Sequence, residues 1–347
     1  MRSKLLRVTV ACATFAAGVL VGTVYRYAQQ QRLVVQAEPA SSLTHAPIQE
    51  ETYPVYPETR GITPREIDSF IYAHPNADLG RLWQRLGVSD EGDPMAQFSL
   101  SQPCAACDAN IFEYNLDDDV EREVVLQIRQ GYGEMYRYLI FNGSRDVNPK
   151  FLGKIDVWSK YQPSDPVVLM SNDRAWLIVQ GTRATGSGLG AWLDSVYEVS
   201  DSGVRHVASY LGEVWQAGYF SFPSKALSGR LVSCEIKNGR EILKVSYTVE
   251  YFAQELLFTK QKTVVLGSSL RDGASLVLAG QSEISPYEFE TIYNFDSMGE
   301  DDFLTFNRHE LRAIATGNDV EKKTWLKEFL DTCEDSVIKR ELLALLR

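Results

Sequence analysis

Arg230-Leu-Val-Ser-Cys-Glu-Ile236, Lys237-Asn-Gly239 and Glu241-Ile-Leu-Lys-Val-Ser-Tyr-Thr-Val-Glu-Tyr-Phe252 decide the fold class of this chain. Apolar and polar residues alternate along the last run, the period of a strand with one buried face. Asn238-Gly239 supplies the positive φ angles that a tight hairpin requires. Two strands joined in this way are antiparallel, and the same pattern extends in both directions.

Upstream, Glu123 to Ile128, Tyr136 to Phe141, Lys154 to Trp158, Ala175 to Gln180, Ala191 to Val199 and Arg205 to Leu211 read as strands. Downstream, Lys260 to Leu266 and Ser275 to Leu278 follow. Short turns separate them, among them Gln130-Gly131-Tyr132-Gly133, Asp201-Ser202-Gly203 and Arg271-Asp272-Gly273. No helix of βαβ length intervenes, so the sheet is expected to be antiparallel throughout. The expected fold is mainly β, an antiparallel meander of small propeller-like or sandwich form. A short helical segment precedes it and a helical tail follows.

The leading helix is marked at Thr63-Pro64-Arg65-Glu66, where a Thr cap, a Pro at the first position and a Glu at the third form a capping box. Ala77 to Leu86 reads as a second helix, stopped by Gly87. At the other end, Asp301 or Asp302 is expected to cap a helix running to about Ala315. A second helix is expected from Val320, with Leu326, Phe329, Leu330, Cys333, Val337, Leu342 and Leu345 as an apolar stripe that docks on the β domain.

Arg2, Lys4 and Arg7 precede an uncharged run from Val8 to Tyr25, closed by Arg26. At about 1.5 Å per residue the run reaches about 27 Å, enough for a single transmembrane helix. Its basic flank predicts a cytoplasmic N-terminus, with the bulk of the chain in the periplasm or outside the cell. A signal peptide cut after Ala37 is the alternative. Thr14, Gly18 and Gly22 share one face at four-residue spacing, where small residues let two helices pair into a homodimer. From Ala28 to Gly61 the composition is that of an extended linker. The expected division is therefore 1–27 anchor, 28–61 linker, 62–110 helical lead-in, 111–295 β-rich domain and 296–347 helical segment.

The 347 residues carry 44% hydrophobic and 23% charged residues, which fits a folded domain and excludes wholesale disorder. A net charge of -11 excludes a nucleic-acid partner, which needs clustered cations. The partners expected are membrane lipid, through the N-terminal helix, and protein.

Asn115-Leu-Asp117-Asp-Asp119-Val-Glu-Arg-Glu123 runs into Val124-Val125-Leu126. Asn115, Asp117, Asp119 and Glu123 place hard oxygen ligands at alternating loop positions, which converge on Ca2+ when the loop wraps around the ion. The stretch from Ile111 to Phe141 resembles the FG-GAP or VCBS type of repeat found in integrin-like β-propellers. That resemblance implies a blade-like hairpin with a calcium loop. Val120 stands where the family has its turn glycine, and Asn115 where it has the first Asp.

Cys104-Ala-Ala-Cys107 is read as a disulfide in an oxidising compartment, structural or redox-labile. No second ligand pair at matching spacing makes it a zinc site, and no βαβ context makes it a thioredoxin motif. Gly181-Thr-Arg-Ala-Thr-Gly-Ser-Gly-Leu-Gly190 lacks the Gly-Lys-Ser/Thr ending of a P-loop and is read as a flexible hairpin loop. His45, His74, His206 and His309 form no metal-ligand pair in sequence. No catalytic motif is found. The chain is expected to be a membrane-anchored extracytoplasmic binding or scaffolding protein. The alternative is an envelope enzyme, either a hydrolase with a dispersed site or a thiol-disulfide protein using Cys104 and Cys107.

Overall fold

A computed structural model describes residues 62–75, 79–87, 107–117, 122–130, 135–143, 146, 149–186, 188–218, 222–237, 240–268, 276–279, 282–283 and 299–347. All of them belong to the second of two compact units, Pro57–Arg347. Val8 to Tyr25, including Thr14, Gly18 and Gly22, lies outside the described residues, as do Cys104 and Asp119. No helix among the described residues is long and apolar enough to cross a membrane.

Antiparallel strands dominate. A four-stranded meander is built from β1 (Asp108–Tyr114), β2 (Glu123–Gln130), β3 (Met135–Asn142) and β4 (Lys150–Trp158), in that spatial order. The chain then enters an eight-stranded sheet of β5 (Val167–Ser171), β6 (Arg174–Gly186), β7 (Leu189–Ser200), β8 (Gly203–Gln216), β9 (Ser224–Lys237), β10 (Arg240–Phe252), β11 (Leu256–Ser268) and β12 (Leu276–Leu278). Every neighbour in that sheet is a sequence neighbour. β9 and β10 pair antiparallel with Lys237 opposite Arg240; Asn238 and Gly239 lie outside the described residues.

The eight-stranded sheet curls into a half-barrel. Its corner is the β8–β9 seam, where only Glu213–Gln216 pairs with Lys225–Ser228. Gly229 follows the last pair, and a Cβ there would lie 2.4 Å from the Leu211 carbonyl oxygen and 2.6 Å from Tyr247 Cε1. Only glycine permits so close an approach. The curl returns the β5–β6 turn to β9, where Ser171 Oγ donates to the Cys234 carbonyl at 3.2 Å and accepts from its N–H at 3.3 Å. Arg205 of β8 reaches Glu241 of β10 at 2.9 Å near the same end.

The four-stranded sheet is covered on both faces, and β3 is buried along nearly its whole length. One face, through Val125, Tyr136, Tyr138, Ile140, Ile155 and Val157, packs on Leu177, Val179 and Val199 of the half-barrel. Against β1 and β2 lies α1 (Pro64–Ala73), with Ile67 and Ile71 buried. Its capping box forms as the sequence predicts, with Glu66 N–H on Thr63 Oγ1 at 3.2 Å and Thr63 N–H on Glu66 Oε2 at 2.9 Å. The second helix, α2 (Gly80–Arg85), is shorter than its periodicity suggests. It sets Trp83 beneath the buried Arg137 guanidinium, 4.9 Å from the ring centroid. Arg137 also grips Asp156 through two N–H donors at 2.7 and 2.9 Å, and Lys154 adds a third contact at 2.7 Å.

The half-barrel's inner core is closed by four helices, where two are expected from sequence: α3 (Glu300–Phe306), α4 (Arg308–Thr316), α5 (Val320–Thr332) and α6 (Val337–Leu345). Asn307 breaks the first pair, because its buried side chain donates to the Phe303 carbonyl at 3.1 Å and competes with the helical ladder. Ser336 starts α6 by accepting from Lys339 N–H at 3.2 Å. The cap of α3 is Gly299, which leaves Asp301 and Asp302 in the first turn. Leu326, Phe329, Leu330, Cys333 and Leu342 are in the core as expected, whereas Val337, 71% exposed, is not. Phe222, Tyr251, Phe303 and Phe329 meet edge to face at 5.2–5.4 Å. Each such pair adds about 1 kcal/mol beyond burial. The Lys260 ammonium of β11 lies 3.9 Å from the Phe306 ring centroid and 3.3 Å from Glu310, which pins the α3–α4 junction to the sheet.

One strand had no clear signal in the sequence. β5 turns into β6 through Asn172 and Asp173, both at positive φ (53° and 59°), with no glycine to announce the turn. β1 begins at Asp108, directly after the Cys pair. One expectation is overturned: Gly181 to Gly190 is not a flexible loop. β6 runs on to Gly186 and β7 starts at Leu189, with Gly186 paired to Leu189. Ladder bonds to the neighbouring strands hold this glycine-rich stretch, whatever its weak intrinsic preference.

Candidate functional site

Where β6, β7 and β8 run side by side, cross-strand register decides which side chains meet. Gln180 is opposite Asp194, which is opposite Tyr210; Thr182 is opposite Trp192, which is opposite Glu213; and Gly190 is opposite Trp215. Directly opposed residues share a face. All of these therefore lie on one face of β6, β7 and β8. The register shifts between Trp192 and Leu193 make Gly212 an extra residue on β8, a bulge that re-aims its neighbours.

Two glycines give this face its shape. A Cβ on Gly190 would lie 2.5 Å from Trp192 Cη2, so the indole covers residue 190, whose cross-strand partner is Trp215. A Cβ on Gly212 would lie 2.4 Å from Asp194 Oδ1, so the carboxylate occupies the space of the missing side chain. Trp215 remains 49% exposed. The β4–β5 connection wraps round the β6 edge and brings Tyr161, 55% exposed, to 6.4 Å from the Trp192 ring. Ser159 Oγ and the Lys160 N–H hold that connection to Thr182 Oγ1 at 3.1 and 3.2 Å.

Asp194 is the chemically distinctive group. Gln180 Nε2 donates to its Oδ1 at 3.3 Å. The Gln180 amide is oriented by Ser164, whose hydroxyl and N–H both donate to Oε1 at 3.1 and 3.3 Å. Burial pushes the Asp194 carboxyl up to about 6 and the charge of Glu213 adds to this, against the opposing hydrogen bonds from Tyr210 and Gln180. The result is a carboxyl that is part ionised near pH 6, beside an exposed aromatic platform.

A second polar cluster lies on the opposite face of β7 and β8. The bulge at Val196/Tyr197 makes Val207 the extra residue and puts His206 and Ser209 on one side. His206 Nε2 is 3.0 Å from Ser209 Oγ, which is 2.7 Å from Ser195 Oγ. Burial, together with Arg205, lowers the His206 pKa, and a hydrogen bond with the Ala208 backbone opposes this. A neutral imidazole beside a hydroxyl is the geometry of a general base.

The acidic loop is divided. Asn115 is exposed, Asp117 is half-buried, and Asp119 lies outside the described residues. Glu123 is fully buried and turns inward to accept the Leu116 N–H, which closes the β1–β2 hairpin from within. Among the described residues no group of three or more His, Cys, Asp or Glu side chains gathers at metal-binding distance. Cys107 is buried and disulfide-bonded. Cys234 and Cys333 are free but buried, and burial raises both thiols to about 12.

No residue of the aromatic face stands out as a motif. A usable signal was the set of glycines inside strand-like sequence, since a glycine within a strand marks the close approach of another group. Compared with known proteins, the chain matches no family model and no curated relative.

Proposed function

We propose that the chain is a membrane-tethered extracytoplasmic binding protein, whose ligand site is the face carrying Trp192, Trp215, Tyr161 and Asp194. The observation that carries this reading is the pairing of an exposed aromatic platform with a half-buried carboxyl, with Trp192 and Asp194 each settled in space left by a glycine. Such convergence of aromatic faces with a few oriented polar groups is how small-molecule sites are built. The tether is the Val8–Tyr25 run, and the Cys104–Cys107 disulfide suits the oxidising side of a membrane. Ca2+, in this reading, falls to Asn115, Asp117 and Asp119, because Glu123 is committed to Leu116. A rise in Tm at millimolar Ca2+ tests that part.

The binding reading is tested by thermal shift of the full-length chain in detergent, with an organic cation, a neutral oligosaccharide, a phosphate ester and a fatty acid added in turn. At least one class raises Tm in the native chain and not in Trp215→Ala. A flat response across the panel removes the reading. The second reading is an envelope hydrolase with a dispersed site, favoured by the His206–Ser209 contact. Covalent labelling of Ser209 by a fluorophosphonate, lost in His206→Ala, would support it.

A further inference from the structure

The geometry points to an alkylammonium cation as the ligand, seated on the Trp192 and Trp215 indoles with Asp194 and Glu213 as its counter-charges. This rests on the binding reading above and narrows it to one chemical class.

Three observations converge. First, the aromatic surface is open: Trp215 and Tyr161 are each about half exposed, and Trp192, 6.4 Å from the Tyr161 ring, covers Gly190, the cross-strand partner of Trp215. Indole faces are the preferred seats for organic cations. The Lys160 Nζ, 5.9 Å from the Tyr161 centroid, already takes that ring, which leaves the two indoles as the seats for a ligand.

Second, the charge of the face is negative, and its hydrogen-bonded polar groups gather round one carboxylate. The Gln180 amide donates to Asp194 and accepts from Ser164; the Tyr210 hydroxyl bonds to Asp194; and Thr182 accepts from the β4–β5 connection. Acceptor oxygens of two carboxylates remain to meet a ligand. A ligand that brings positive charge is matched. An anion is repelled.

Third, among the described residues the groups that act on the Asp194 charge are Tyr210 and Glu213, both from β8, with the neutral Gln180 amide from β6. The one carboxylate among them repels the ionised form of Asp194. A bound cation relieves that repulsion, so binding and deprotonation of Asp194 favour each other.

The test uses the full-length chain in detergent, choline as probe, and 3,3-dimethylbutan-1-ol as its uncharged isostere, followed by tryptophan emission. Choline is expected to bind at millimolar concentration and about tenfold more tightly than the isostere. Its affinity rises about tenfold from pH 5 to pH 7.5, as Asp194 ionises through its pKa near 6. Asp194→Asn abolishes that pH dependence and weakens binding, while Trp215→Ala weakens binding at every pH and Trp215→Phe restores part of it. Circular dichroism confirms that each variant is folded. Equal affinity for choline and its isostere, or unchanged choline binding in Asp194→Asn, overturns the assignment. Tm shifts with oligosaccharide but none with choline also overturn it, and leave the binding reading standing.

Discussion

Asp194 on β7 occupies the space of the side chain that Gly212 on β8 lacks, with 2.4 Å between the Asp194 Oδ1 atom and the position of a Cβ on residue 212. The carboxyl therefore lies against backbone, half-buried beside Gln180 and Tyr210. Its raised pKa follows from that placement, with burial as the largest cause.

Gly212→Ala is expected to displace the carboxylate or the strand. Unfolding by urea should show a loss of about 2 kcal/mol, the scale of an overpacked site. Gly190→Ala should likewise lift the Trp192 indole and shift its emission, because the ring lies where the new methyl group would go.

Asp194 also makes stability depend on pH. Its folded pKa of about 6 lies above its ordinary 3.8, so the folded state holds a proton that the unfolded chain releases. This contribution is complete below about pH 4 and is lost as pH rises through 6. Asp194→Asn should stabilise the protein above pH 6 by roughly 1–2 kcal/mol after solvent screening, and flatten the profile between pH 4 and 6. A variant with an unaltered profile would show that another group titrates there.

The buried ion pair behaves in the opposite sense. Burial would raise the Asp156 carboxyl, but Arg137 and Lys154 outweigh it and hold the pKa below its usual value. Its contribution is present above the ordinary carboxylate pKa and fades as pH falls below about 4. Arg137→Met should cost about 3–5 kcal/mol by leaving Asp156 buried with Lys154 as its remaining cation. The double variant Arg137→Met, Asp156→Leu should recover much of that loss in chemical denaturation.

Cys234 and Cys333 should resist a thiol reagent such as Ellman's in the native protein and react once it is unfolded, because both thiols are buried and raised to about 12. Rapid native reaction of either would place it on the surface and contradict its position in the inner core.

Much of the architecture was legible because the half-barrel strands alternate in register with their turns, as in Glu241 to Phe252 after Asn238-Gly239. β5 was not, because Asn172-Asp173 makes its turn without glycine. The Gly181 to Gly190 stretch misled for the converse reason: composition reports intrinsic preference, while ladder bonds from the flanking strands decide the outcome. The four C-terminal helices were legible as helical, but their breaks depend on a buried Asn307 side chain and a Ser336 cap. The candidate site was hidden altogether. Trp192, Trp215, Asp194 and Gly212 come together only through cross-strand pairing and a bulge, neither of which leaves a spacing in the sequence.

The most direct test of the proposed binding face is fluorine NMR of the full-length chain labelled with 5-fluorotryptophan at its six Trp positions, with choline and the three other ligand classes added in turn. A ligand that occupies the site shifts the Trp192 and Trp215 signals and leaves the buried Trp83 and Trp176 signals in place. Shifts confined to Trp83 or Trp176, or no shift with any class, would contradict it.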